Sequence, residues 1–434
     1  MLRAASATAG GLLAPSCAHT PPRPASAVPQ GPRLPGALEV RGSRFFRDGQ
    51  PFVASGFNYW SGLPLSRAGN DAGWAQVQRD LDAMQGLGIN LLRIIGGTEG
   101  PDTEPYRIVP SLQPGPGVYD PASVDGLLRL VAELERRKLT AIVMMNNFWH
   151  WSGGMAQYLA WAGEGPVPYP PPAPGGSWDR FQKHTARFYS SGRAKQLFAA
   201  FLRMLVPQLK SSPAVIWELA NEPRGIDNLG PFHDWIDETA GLIKALAPSQ
   251  LVTTGSEGQT ATPFYSGTDI VRDHESPNID FITFHLWAQN WGWIRPENLE
   301  RGFPKALELA KRYIHDNASR AAKLGKPLLL EEFGFPRDKG SFDPDSTTVL
   351  RDRYFAEIYG LVRSLIPSTT LAGIMPWAWS GDTRPPRPGE FWRRGDPFVG
   401  DPPHEQQGWY GIYKTDATLK IVQDFAAASV GPVA

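Results

Sequence analysis

Two acidic stretches stand out: Trp217-Glu218-Leu219-Ala220-Asn221-Glu222-Pro223-Arg224 and Leu330-Glu331-Glu332-Phe333-Gly334. Each closes a short apolar run, so each sets carboxyl groups where a strand gives way to a loop. Two carboxyls facing one another across a sugar-sized gap meet the requirement for glycoside hydrolysis. One must stay protonated to donate to the leaving oxygen, and the other must be ionised. Alone, a Glu at a strand end is more often a loop ion-pair partner; the pairing gives the reading its force. No competing chemistry is signalled. The single cysteine, Cys17, excludes an intrachain disulfide framework and a Cys-built metal centre, and the eight histidines form no H-E-x-x-H. We expect neither a metal nor a cofactor.

The elements that must carry these residues are legible as a repeating pattern. Apolar runs fall at Phe52–Asn58, Asn90–Ile95, Thr140–Met145, Ala214–Leu219, Gln250–Thr254, Ile279–Phe284, Lys326–Leu330 and Leu371–Trp377. They are continuous and not alternating, as parallel strands buried on both faces require. Helical spacing lies between most of them, as in Trp74–Leu87, Lys195–Leu209, Trp235–Leu246, Leu307–Ala322 and Leu350–Leu365, with a closing helix over Thr418–Ala427. Eight strand–helix units predict an α/β fold, a (β/α)8 TIM barrel with loop insertions on its C-terminal face. An open doubly wound sheet is the runner-up, but no Gly-x-Gly-x-x-Gly follows any strand. Barrel sites sit at strand C-terminal ends, so runs four and seven bring their carboxyls together across the mouth. Phe45–Phe52, with Asp48-Gly49 between aromatics, predicts a hairpin capping the bottom.

Balanced charge, 43 Lys+Arg against 43 Asp+Glu, argues against a nucleic-acid surface or a polybasic membrane anchor. No apolar run beyond the N-terminus reaches the roughly 20 residues of a membrane span. Residues 1–36 are expected to be a secretion signal, possibly incomplete, and a linker; residues 37–434 form the catalytic barrel. The apolar stretch Ala4–Ala14 behind Arg3 suits export, periplasmic or extracellular. Cys17 stands where a lipid anchor would attach, although Ala14 replaces the expected Leu. From His19 to Gly36 the chain is rich in Pro, Ala and Ser and is expected not to pack.

Asn221-Glu222-Pro223 with Glu332-Phe333-Gly334 resembles the acid/base and nucleophile signatures of clan A glycoside hydrolases, specifically family 5. Further segments resemble its β-mannanase subfamily, bacterial members included. They are Asn146-Asn147, Gly153-Gly154, Gln157-Tyr158, Trp161, Gly255–Gly258, His285-Leu286-Trp287, Asn290–Trp293, Asp401–Glu405 and Gly408–Tyr410. The likeness spans roughly Leu38 to Ala427. It implies Glu332 as nucleophile and Glu222 as acid/base of a double displacement. It implies Arg93 bonding the nucleophile and Asn221 bonding the sugar 2-hydroxyl, Trp377 as the platform under the sugar, and Arg224 on the leaving-group side. His285 takes a site role, and Asn147, Trp287 and Trp291 join the substrate-binding set, with Trp291 and Trp379 each open to a packing role instead. Many family members carry Tyr where this chain has Trp287, which withdraws a hydroxyl contact to the nucleophile. Glu331 is left as a buried supporting acid.

The resemblance implies hydrolysis of β-1,4-mannosidic bonds in mannan or manno-oligosaccharides, with internal cleavage favoured and no obligate protein partner. Three alternatives stay open: an exo-β-mannosidase, a β-1,4-glucanase on the same barrel, and a non-catalytic carbohydrate-binding barrel. The Pro-rich insertion Gly163–Gly176 lies on the active-site face and could wall off one end of the cleft. That would convert internal cleavage to chain-end cleavage.

Overall fold

The computed structural model describes residues 28–429. It opens with an antiparallel sheet of β1 (Leu38–Arg41), β2 (Arg44–Arg47) and β3 (Gln50–Phe52). The β2–β3 turn is Asp48-Gly49, with φ of 50° and 81°. Positive φ at both positions is what a two-residue hairpin turn requires, and Asp-Gly supplies it at low cost.

Eight parallel strands follow: β4 (Ala54–Asn58), β5 (Leu91–Ile95), β6 (Thr140–Met144), β7 (Val215–Glu218), β8 (Val252–Thr253), β9 (Ile282–Leu286), β10 (Leu328–Phe333) and β11 (Leu371–Ile374). Their order is β8-β7-β6-β5-β4-β11-β10-β9, which is a barrel laid open between β8 and β9. Asp280 stitches that seam. Its N–H donates to the Val252 carbonyl at 2.8 Å, and its carboxylate accepts the Val252 N–H at 2.7 Å. All strand residues are buried, as continuous apolar runs predict. The sixth strand differs in extent: it runs to Leu286, so His285 lies within the strand and not after it.

Helices cover the barrel. Asp71–Gly86 starts on an Asn70 cap and buries Val77, Leu81 and Met84; Gly192–Leu209 starts on a Ser191 cap. At the bottom, Phe45 from the hairpin meets Phe281 edge-on at 5.2 Å, above a layer that includes Leu91, Ile142, Ile216 and Leu329. The hairpin therefore plugs the end opposite the acidic residues.

Of the stretch 19–36, residues 28–36 are described and none of them is buried; Val28 N–H donates to Asn278 and Gly31 N–H to the Pro248 carbonyl. One loop reading is corrected. The Pro-rich insertion buttresses and does not wall. Tyr169 bonds Glu104 and packs on Tyr106 and His150. The mouth is instead crossed by segment 382–411, between β12 (Trp379–Gly381) and β13 (Ile412–Tyr413). Trp60 Nε1 donates to the Gly400 carbonyl at 2.7 Å, Arg394 donates to the Asp102 carbonyl, and Phe391 packs on Tyr106. The last long loop is thus tied down to the loops after β4 and β5.

Candidate active site

A cavity of about 340 Å³ opens at the strand C-terminal ends. Glu222 and Glu332 both line it, with Asn221, Arg224, Trp287, Trp291 and Trp377. Glu222 sits just beyond β7 at φ 49°, a left-handed backbone that non-glycine residues adopt at a cost of about 1–3 kcal/mol. Its N–H is held by the Gly255 carbonyl at 3.0 Å, and that of Asn221 by Asn146 at 2.9 Å. The neighbouring loops hold the kink and turn two successive side chains into the cavity.

Arg93, on β5, lies beneath the carboxylates and is 2% exposed. It grips Glu218 through two bonds, 2.7 and 2.6 Å, and donates to Glu332, to Asn221 at 2.8 Å and to Asn58 at 3.1 Å. One guanidinium thereby fixes the Glu332 carboxylate and the Asn221 amide together. His285, fully buried on β9, places Nδ1 2.6 Å from Glu222 Oε1 and 3.3 Å from Glu332 Oε2. The second oxygen of Glu222 accepts from Trp149 Nε1 at 2.6 Å. Arg224 is locked by Glu257 at 2.6 and 2.8 Å and by Gln182, and lies over the Trp149 ring.

Burial opposes charge on His285, but the charges of Glu332, Glu222 and Glu331 outweigh it and hold the ring protonated, raised to about 10. Burial likewise raises Glu222, yet the bond and charge of His285 carry it below the usual range. Burial raises Glu332 against the charges of His285 and Arg93. These directions favour the shared proton on His285, whereas a general acid at Glu222 would carry it on its own carboxyl. The three groups titrate as one unit, and a shift across 2.6 Å from Nδ1 to Oε1 reaches the acid-competent form.

Donor atoms of Glu222, His285 and Glu332 lie within 4.8 Å of one another. That distance alone would bracket a cation, but these atoms already serve Arg93, Trp149 and one another. A metal would face the Arg93 guanidinium. The same closeness leaves no room for a water between the carboxyls, which favours attack by one of them.

Some residues lie where the sequence expectation did not put them. Asn147 is fully buried and turned away from the cavity; its Oδ1 accepts from Asn221 at 3.2 Å and from the Trp149 N–H at 2.9 Å. It orders two neighbours, because its short side chain bends back to local donors. Arg93 and His285 also stand behind the cavity surface, reaching it through carboxylates. Trp287 packs on Trp377 and Tyr410, and among the described residues no hydrogen bond joins it to Glu332. Trp379 is buried against Phe57. Trp149, Trp151, Trp178, Phe264, His404, Glu405 and Trp409 line the cavity without having been singled out as site residues. The aromatic run Trp149-His150-Trp151 directly after β6 was the available signal.

A family profile described as "GH family 5 beta-mannosidase-like" matches residues 37–431. The chain is 32% identical to the family 5 mannosidase of Rhizomucor miehei, with a TM-score of 0.83 over 91% of this chain and 98% of that one. It is 30% identical to putative mannan endo-1,4-beta-mannosidase 9 of Oryza sativa subsp. japonica, over 74% of this chain and 75% of the relative. The endo-1,4-beta-mannanase of R. miehei shares the fold, with a TM-score of 0.65 at 21% identity over 91% of this chain and 99% of that one.

Proposed function

The chain belongs to the β-mannosidase-like group of glycoside hydrolase family 5, and from that premise we propose a retaining enzyme that takes mannosyl units from chain ends. It is a glycoside hydrolase of β-mannosidic bonds. The observation that carries the mechanism is the close pair of buried carboxylates, Glu222 and Glu332, bracketed by His285 and Arg93 at one cavity.

A mannosyl ring lying on Trp377 offers its anomeric carbon to Glu332. As the Glu332 oxygen bonds to that carbon, the glycosidic bond breaks and its electron pair leaves with the aglycone oxygen, which takes the Glu222 proton. Arg93 holds Glu332 in place and stabilises its charge before attack. In the second step water gives its proton to Glu222 and attacks the same carbon, releasing Glu332. Asn221, fixed by Arg93 and Asn147, keeps an amide hydrogen for the sugar 2-hydroxyl. Arg224, locked to Glu257, meets the departing chain.

Chain-end action is supported by segment 382–411, which lays His404 and Glu405 over one side of the cavity. His404 stacks parallel to Trp151, and Trp151 meets Trp377 edge-on. The other side, by Trp178 and the half-exposed Phe264, stays accessible for a leaving group. At about 340 Å³ the site falls at the small end of ligand pockets and is not an extended groove. The test is the product time course on β-1,4-mannohexaose. Mannose with a ladder of shortened chains is expected; early mannobiose and mannotriose without mannose would mean internal cleavage. Absence of any cleavage, with activity on cello-oligosaccharides, would move the substrate to glucans.

Export belongs to the same proposal, resting on the Ala4–Ala14 stretch and Cys17, which lie outside the described residues. No helix among the described residues is long and apolar enough to cross a membrane. Fractionation of the producing cell and N-terminal sequencing of the mature protein test it.

A further inference from the structure

Strands β9 and β10 slip out of register where the site is built. Leu330 pairs with Phe284, but the next pair is Glu332 with His285, so Glu331 is the extra residue of a β-bulge. In an unbroken strand Glu331 and Glu332 would point to opposite faces, one inward and one to the helix layer. Here both reach the barrel centre. Glu331 Oε2 lies 3.3 Å from His285 Nε2 and 3.7 Å from Arg93 Nε, with the side chain fully buried. Among the described residues its Oε1 has no hydrogen-bond partner. A buried carboxylate with an unsatisfied oxygen is destabilising, and packing alone would be met by a neutral side chain.

We propose that Glu331 is a positioning residue that acts through His285 to keep the acid/base Glu222 supplied with its proton. The proposal rests on the assignment of Glu222 above. Glu331 accepts the Nε2–H of His285, which leaves Nδ1 facing Glu222 Oε1, so a single proton occupies the 2.6 Å Nδ1–Oε1 line. When Glu222 gives a proton to the leaving oxygen, a Glu222 O–H bond breaks and an aglycone O–H bond forms. The Nε2–H stays with Glu331 throughout. The negative charge of Glu331 makes the His285–Glu222 pair hold the shared proton to higher pH.

Other groups face the pair from every side. Glu332 and Glu218 are both raised by burial against the charge of Arg93, which pairs with each, and the charge of Arg224 is offset by Glu257. Burial keeps three more neutral: His404 is pushed down to about 3, while Glu405 and Tyr313 are pushed up. Among these, Glu331 has its hydrogen-bonding contact on His285 Nε2 and not on the substrate side.

The experiment is the pH profile of kcat/KM for Glu331→Gln on two substrates. Mannobiose needs a proton on its leaving oxygen; 2,4-dinitrophenyl β-mannoside does not. Removing the charge lets the pair lose its proton earlier, so the alkaline limb on mannobiose should move down by about one pH unit or more. At a pH on that limb this is roughly a tenfold loss. The dinitrophenyl substrate should change by no more than about threefold, since its first step needs no general acid. Glu331→Asp, which restores the charge, should return the limb most of the way. An unmoved limb, or an equal loss on both substrates, overturns the proposal. If Glu331→Gln does not fold, Glu331→Met, which removes the charge with a side chain of similar length, carries the same test, and an unmoved limb is again decisive. Glu222→Ala separates the two levels. If it retains turnover of mannobiose, the assignment beneath the proposal fails; if it loses turnover while Glu331→Gln keeps its limb, only the role of Glu331 fails.

Discussion

Glu222 and Glu332 differ in their neighbours, and the neighbours divide the labour. Glu332 is bound to Arg93, which is itself anchored by Glu218, whereas Glu222 lies between His285 and the Trp149 ring nitrogen. Glu332→Ala and Glu222→Ala should each lower kcat on mannobiose by about 10³-fold or more, measured with folded protein at saturating substrate. On 2,4-dinitrophenyl β-mannoside the two should separate. Glu332→Ala stays inactive, while Glu222→Ala should form the glycosyl-enzyme rapidly and stall, giving a burst of released phenol. Absence of a burst in Glu222→Ala would argue against its acid/base role. Arg93→Met should be expensive in a different currency. It leaves Glu218 and Glu332 buried without their cation, and stability should fall by about 3–5 kcal/mol in urea unfolding.

At the scale of elements, strands and helices were legible because their signals are periodic and local. Phe52–Asn58 and Thr140–Met145 became β4 and β6 within two residues, and the Asp48-Gly49 hairpin formed as its turn chemistry demands. The strand ends drew attention to Glu222 and Glu332 for the same reason. The rest depended on contacts distant in the chain. Segment 382–411 has no period; its course is set by Trp60, Asp102 and Tyr106, more than 270 residues earlier. Which way the Asn147 amide turns is set by Asn221 and the Trp149 N–H, and the sequence pattern does not contain that direction. The bulge at Glu331 arises from pairing with β9, which a single strand's pattern does not contain. Separation of elements also predicts separation of effects. Phe45→Ala at the bottom plug should cost about 3–5 kcal/mol in urea unfolding. Because the plug is at the end opposite the carboxylates, kcat on mannobiose at a temperature where the variant is folded should stay near that of the parent.

For the molecule as a whole, the barrel buries titratable groups in their neutral forms on opposite sides of the pH scale, and this dictates how stability responds to pH. His274 is fully buried; Nδ1 lies 2.8 Å from the Ile270 carbonyl, and Nε2 meets the Thr254 hydroxyl at 2.7 Å and the Thr283 N–H at 3.2 Å. Those partners fix the neutral tautomer with Nε2 as acceptor, and burial pushes the ring down to about 3 from 6.5. Its contribution is complete above the unfolded value and is lost as pH falls from about 6.5 towards 3, because the unfolded chain binds a proton that the fold refuses. Glu99 behaves in the opposite sense. Burial raises it to about 8 from 4.5, against the Gly154 N–H and the charge of Arg107. The fold keeps a proton that the unfolded chain gives up, so this contribution is complete below about 4.5 and is lost as pH rises towards 8. Each group changes stability by at most about 1.4 kcal/mol per pH unit. Between pH 4.5 and 6.5 the slopes of these two groups cancel; below that window His274 acts together with His404, also pushed down to about 3, and above it Glu99 acts in the same sense as the other buried carboxyls raised by burial. Glu99→Gln keeps a carbonyl for Gly154 and an amide in place of the acid proton, so it should fold and should flatten the decline between pH 6.5 and 8. Urea unfolding across that range measures the slope directly. A slope unchanged in Glu99→Gln would show that Glu99 is ionised in the folded protein and that the alkaline decline comes from other groups.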